Sequence, residues 1–109
     1  MKLRPEIKKR WVDALRSGQY KQGQNRLKSG DRFCCLGVLC DLSRIDLGEN
    51  WDNEDNFNFK SGELPQNVME WAGLSDARGL YSFTSPSLTE LNDTGVSFVE
   101  IAGIIEKEF

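Results

Sequence analysis

A chain of 109 residues, 39% apolar and 28% charged, is the size of one domain, and at that length somewhat more than roughly 60% of the unfolded surface is buried without help from staples. It has no histidine, which excludes imidazole acid–base catalysis, Ser-His-Asp and Cys-His nucleophiles, and zinc sites that need an imidazole ligand. The net charge of −3 hides an asymmetry: residues 1–45 carry eleven Lys/Arg against four Asp/Glu, and residues 46–109 carry three against thirteen.

That asymmetry has two readings, ordinary helical surface charge or two surfaces of opposite sign that steer partners, and folding can also intermix the halves. No apolar run approaches the roughly 20 residues that span a bilayer. The start, Met1-Lys2-Leu3-Arg4-Pro5-Glu6, lacks the apolar stretch of a secretory signal. The expected setting is therefore intracellular and reducing, with the three cysteines as thiols.

In chain order, Pro5 and Glu6 open a first helix whose inner face carries Ile7, Trp11, Ala14 and Leu15, with Val12 beside it. Gly18 closes it. Gln19 to Arg32 is polar and basic, and Ser29-Gly30-Asp31 reads as a tight turn. Short strands around Gln24–Lys28 and Arg32–Cys34 are expected to flank that turn as a hairpin.

Phe33-Cys34-Cys35-Leu36-Gly37-Val38-Leu39-Cys40-Asp41-Leu42 follows. With Ile45 it is apolar at nearly every azimuth, which predicts a buried central helix, a buried strand being the competitor for its first residues. Gly37, costly in a helix by about 1 kcal/mol, would let another element approach closely.

Asp46 to Gly62 is a long acidic loop in which Trp51, Phe57 and Phe59 are the expected anchors. Leu64-Pro65 opens a helix with Val68, Trp71 and Ala72 inward, closed by Gly73-Leu74. Leu80-Tyr81-Ser82-Phe83-Thr84 alternates like a strand. Ser87 with Glu90, and Ser97 with Glu100, have capping-box spacing. The first, or Ser85-Pro86 just before it, starts a short helix ended by Asn92-Asp93-Thr94-Gly95. The second starts a last helix with Phe98, Ile101, Ala102, Ile105 and Phe109 on one face.

The candidate chemistry is thin. Cys34, Cys35 and Cys40 lack a fourth soft ligand, and neighbouring helix positions point about 100° apart, so buried packing is the favoured reading. Cys34 beside Arg32 is the one thiol placed to be reactive. Counted from Asp52, the loop sets Glu54, Asn56, Asn58 and Glu63 at calcium-loop positions, but Phe57 stands where glycine is needed. Carboxylate pairs such as Glu54/Asp55 have no nucleophile beside them. No catalytic residue, metal or cofactor is therefore assigned. Tyr20, Lys21, Gln22, Gln24, Asn25 and Arg26 are the candidate binding residues, suited to a partner or to a small anionic ligand. Nucleic acid is disfavoured by a pI near 5.0 and the acidic second half.

The cysteine run resembles a motif of a group of small uncharacterised proteins of bacteriophages and prophages. The resemblance extends through Trp11 to Gly23, Leu64-Pro65, Trp71-Ala72-Gly73-Leu74, Leu91-Asn92-Asp93 and Ser97-Phe98. It implies a phage origin and action in the host cytoplasm, and it carries no activity or catalytic residue. The resulting expectation is a compact α+β single domain over residues 1–109. It would have about four helices, a small antiparallel sheet or hairpin, and the Cys-rich helix at its centre. The expected role is a non-enzymatic accessory protein that binds a host component, such as an anti-defence inhibitor. The alternative is a binder that sequesters a nucleotide-type signal in a basic pocket built by Tyr20 to Arg26. A carboxylate enzyme ranks last.

Overall fold

The computed structural model describes residues 3–109 and shows a single α+β unit of five helices and a three-stranded sheet. Helix α1 (Pro5–Arg16) buries Ile7, Trp11, Val12 and Leu15, as its periodicity requires. Ala14 is only partly buried. Pro5 sits at the first helical position, where its missing N–H costs nothing.

The cysteine run divides where its two readings competed. Phe33 belongs to a strand, Cys34 is the N-cap, and helix α2 starts at Cys35 and runs to Leu47. From Cys35 to Cys40 every residue is buried. The apolar girdle ends there, because Ile45 is 90% exposed, a correction to the expectation that it joins the core. Helix α2 therefore has a core-penetrating first half and an amphipathic second half.

The hairpin is present but shorter than expected. Strands β2 (Lys28–Ser29) and β3 (Arg32–Phe33) pair antiparallel around Gly30, whose φ of +63° the turn demands. Strand β1 (Lys21–Gln22) pairs parallel with β3, so the sheet, in the order β1-β3-β2, is mixed rather than antiparallel. Two-residue strands carry no alternation to read, and the register of β1 is set by side-chain bonds to distant helices.

Helix α3 (Gln66–Ala72) follows Pro65 and buries Val68 and Ala72. Gly73, at φ +88°, and the Leu74 N–H, which donates to the Met69 carbonyl at 2.9 Å, close it and return the buried Leu74 to the core. Trp71 is only half-buried. Its indole N–H donates to the Asp46 carboxylate at 3.1 Å, and the Arg10 guanidinium lies 5.7 Å from its ring centre.

Helix α4 (Leu88–Asp93) is capped by the Ser87 hydroxyl, and helix α5 (Phe98–Glu108) by the Ser97 hydroxyl, each accepting from the N–H three residues on. Helix α5 packs against α1 through Phe98, Ile101, Ala102 and Ile105. No strand forms over Leu80–Thr84. The Leu80 N–H is instead taken by the Asp76 carboxylate at 3.0 Å, and Ser82 and Thr84 bond to each other.

The opposite charges of the two halves meet in the fold. Arg10 pairs with Asp46, Arg16 with Glu106 and Lys28 with Asp55. The Lys28 pair is the least exposed of the three, and the other two contribute little stability.

Candidate functional site

The cysteines belong to the scaffold. All three are buried and free. The Cys34 sulfur caps α2 by accepting from the Gly37 N–H at 3.3 Å. A helix N-terminus lowers a thiol pKa and burial raises it. Burial wins here: the Cys34 thiol is pushed up to about 11, and Cys35 and Cys40 are also driven well above the usual range by desolvation. Among the described residues no group of three potential ligands is placed to hold a metal ion. In the acidic loop one Asp52 carboxylate oxygen accepts from the Glu54 and Asn56 N–H groups, which folds the loop onto itself.

The Tyr20–Arg26 segment is placed residue by residue against the rest of the chain. The Tyr20 hydroxyl donates to Asp41 at 2.6 Å, and its proton is held more tightly than usual by burial and by that bond. Lys21 pairs with Asp31 at the surface. The Gln22 amide donates to Asn92 and to the Val96 carbonyl, while its oxygen accepts from the Phe98 N–H. The Gln24 side chain donates to the Asn92 carbonyl. The Asn25 N–H donates to Asp93, and Arg26 donates to the Glu54 carbonyl at 2.7 Å. These six residues mostly tie β1 and its loop to α2, α4, α5 and the acidic loop.

Their hub is Asn92, which the sequence reads only as a helix terminator. It is fully buried. Its oxygen accepts from the Gln22 side chain at 3.0 Å and from the Cys35 N–H at 3.1 Å, and its nitrogen donates to the Gly23 carbonyl at 2.8 Å. One amide on α4 thus satisfies groups at the start of α2 and at the end of β1.

Aromatic packing fixes the acidic loop. Tyr20, Phe33, Trp51 and Phe57 form a chain of edge contacts with ring centres 4.9–5.9 Å apart. The Lys28 ammonium lies 5.9 Å from the Phe33 and Trp51 ring centres and 2.7 Å from the Asp55 carboxylate. Trp51 and Phe57 anchor the loop as expected, but Phe59 does not: it is 92% exposed. Phe57 and Lys60 exchange both backbone hydrogen bonds, and the two residues between them, Asn58 and Phe59, have φ of +48° and +69°. This two-residue turn of the I′ pattern turns the Phe59 side chain outward.

The candidate binding surface lies elsewhere, at the end of the molecule where the 74–83 segment meets the last turn of α5. Leu3, Leu74, Leu80, Tyr81, Phe83 and Phe109 are among the residues lining a groove of about 810 Å³. Phe83 is fully exposed and Leu80 is 38% exposed. Tyr81 packs edge-on against Phe109 with ring centres 5.5 Å apart. A smaller concavity of about 450 Å³ continues along α5 and shares Tyr81, Lys107 and Glu108 with the groove. The sequence pattern puts Leu80–Thr84 in a strand and Phe109 on the apolar face of the last helix. The available signal was an aromatic, strand-like run with no second strand predicted anywhere in the later half of the chain.

The fold and this surface define a small α+β domain with an exposed aromatic groove. Over residues 3–109 the chain matches the family described as a domain of unknown function, DUF8296, and it belongs to that family. No curated protein and no solved structure matches it. Among the described residues, no helix is long and apolar enough to cross a membrane.

Proposed function

We propose that this protein is a non-enzymatic accessory protein of phage origin that binds a host protein through the groove bordered by Leu80, Tyr81 and Phe83. The observation that carries the reading is the fully exposed Phe83 beside Leu80 at the rim of that groove. Large apolar side chains gathered at a concave surface are the usual mark of a protein-binding site, and aromatics are enriched where such sites are anchored. The phage origin and the host setting rest on the resemblance carried by the cysteine run. The blunting of a host defence is the role this origin favours. The rival reading, a basic pocket for a nucleotide-type signal, loses support because Gln22, Gln24 and Arg26 each direct a side-chain donor to another part of the chain.

The test is affinity capture from host lysate with the wild-type protein, Phe83→Ser, and Ile45→Ser as a control for an exposed residue away from the groove. A host protein retained by wild type and Ile45→Ser, and reduced at least tenfold by Phe83→Ser, is the expected result. Equal retention by all three, or no retained protein, overturns the reading.

A further inference from the structure

We propose that the partner lays an α-helix across α5 at Gly103, with basic residues flanking the crossing point; this rests on the protein-binding reading above. Gly103 sits inside α5, where glycine is among the poorest helix formers. Most other glycines have a local reason, and Gly62, which like Gly103 would meet nothing within 4 Å, lies in a loop where glycine carries no helix-propensity cost. A Cβ on Gly37 would overlap the Leu27 carbonyl, and one on Gly23 would press on Arg32. Gly18, Gly30, Gly48, Gly73, Gly79 and Gly95 have positive φ. Gly103 has neither reason, because a Cβ built there meets nothing within 4 Å. Nothing in the described fold asks for glycine at this position.

The open space faces the smaller concavity, which Gly103 lines with Tyr81, Glu100, Ile104 and Lys107. Val99, four residues earlier, is 61% exposed. Val99, Gly103 and Lys107 form one i, i+4 ridge on the outer face of α5, and the glycine notches it. A notch of this kind lets a second helix pack ridge-into-groove at close range, with interaxial distances toward the lower end of about 8–10 Å. A side chain from that helix would fill the concavity beside Tyr81 and Ile104. The charges select the partner: Glu100 and Glu108 line the concavity against the single cation Lys107. A helix with a small residue at the crossing and Lys or Arg on either side complements this arrangement.

The experiment uses the full chain and the host protein whose capture requires Phe83, identified by mass spectrometry and purified as the probe. Gly103→Ala is expected to raise the Tm of the free protein by roughly 4 °C and to weaken binding of the probe at least tenfold. Glu100→Lys is expected to weaken binding further and to flatten its salt dependence. A benzophenone side chain placed at Val99 should crosslink to a helical segment of the probe. If Gly103→Ala raises the Tm but leaves binding intact while Phe83→Ser abolishes it, the helix crossing is wrong and the groove reading stands. A fall in Tm for Gly103→Ala also overturns the inference, since the fold would then need the glycine. Crosslinks to a strand, a loop or nucleic acid overturn it as well. If no probe can be captured, both proposals fail together.

Discussion

The carbonyl of Leu27 lies where the Cβ of any other residue at position 37 would have to be, against the buried face of Gly37. The same carbonyl accepts from the Cys34 N–H at 3.1 Å, so the loop before β2 is clamped onto the first turn of α2. The helix-propensity cost of Gly37 is offset by this contact, which brings the fully buried Leu27 into the core.

Gly37→Ala should therefore destabilise strongly, against the propensity gain expected in an ordinary helix. Backbone cannot move aside as a flexible side chain can, and overpacking of this kind costs about 1–3 kcal/mol or more. Urea unfolding followed by tryptophan fluorescence measures it, and a midpoint equal to or above wild type contradicts the clamp.

Asn92→Leu should cost about 3 kcal/mol. It leaves the Cys35 N–H and the Gly23 carbonyl without their partner in a buried setting and removes one of the bonds of the Gln22 amide, and each orphaned group is worth about 1–3 kcal/mol. Amide hydrogen exchange adds a local readout: Cys35 and the β1 region should lose protection before the α1–α5 pair does.

Phe59→Gly should stabilise the free protein by about 0.5–1 kcal/mol. The Phe59 φ of +69° is strained for a residue with a Cβ, and its exposed ring buries nothing in return. Asn-Gly is the favoured pair for this turn, although glycine also loses more entropy on folding. A lower unfolding midpoint for the variant would mean that the ring packs in solution.

The cysteines should be inert to an aromatic disulfide reagent at pH 8, reacting only as fast as the domain opens. Rapid labelling of Cys34 contradicts its placement as a buried cap. Burial also sets a pH dependence. Burial pushes the folded Cys34 thiol from its ordinary value of 9.0 up to about 11, so above pH 9 the unfolded chain releases a proton that the native state retains. Its contribution is complete below pH 9 and is lost progressively as pH rises toward 11. Urea midpoints at pH 8, 9, 10 and 10.5 should fall more steeply for wild type than for Cys34→Ala.

Helices that bury one clear face or carry a local terminator are legible in the residues themselves. Ile7, Trp11 and Leu15 define α1, and Phe98, Ile101, Ala102 and Ile105 define α5. Ser87, Ser97 and Gly73 mark ends whose bonds close within a few residues. The sequence also places the cysteine run at the centre, because an unbroken apolar stretch has nowhere else to go. Tertiary structure decided what depends on a distant partner. The parallel register of β1 rests on Gln22 reaching Asn92, Val96 and Phe98, some seventy residues on. The outward turn of Phe59 follows from the hydrogen bonds between Phe57 and Lys60, and that of Ile45 from which face of α2 the neighbouring elements cover. Leu80–Thr84 has the alternation of a strand, but a strand exists only where another offers its edge. No partner strand reaches it, so its side chains border a groove instead. Local chemistry is written in neighbouring residues, whereas pairing and exposure are properties of the assembled surface, which is why the candidate site was the part of this protein least legible in its sequence.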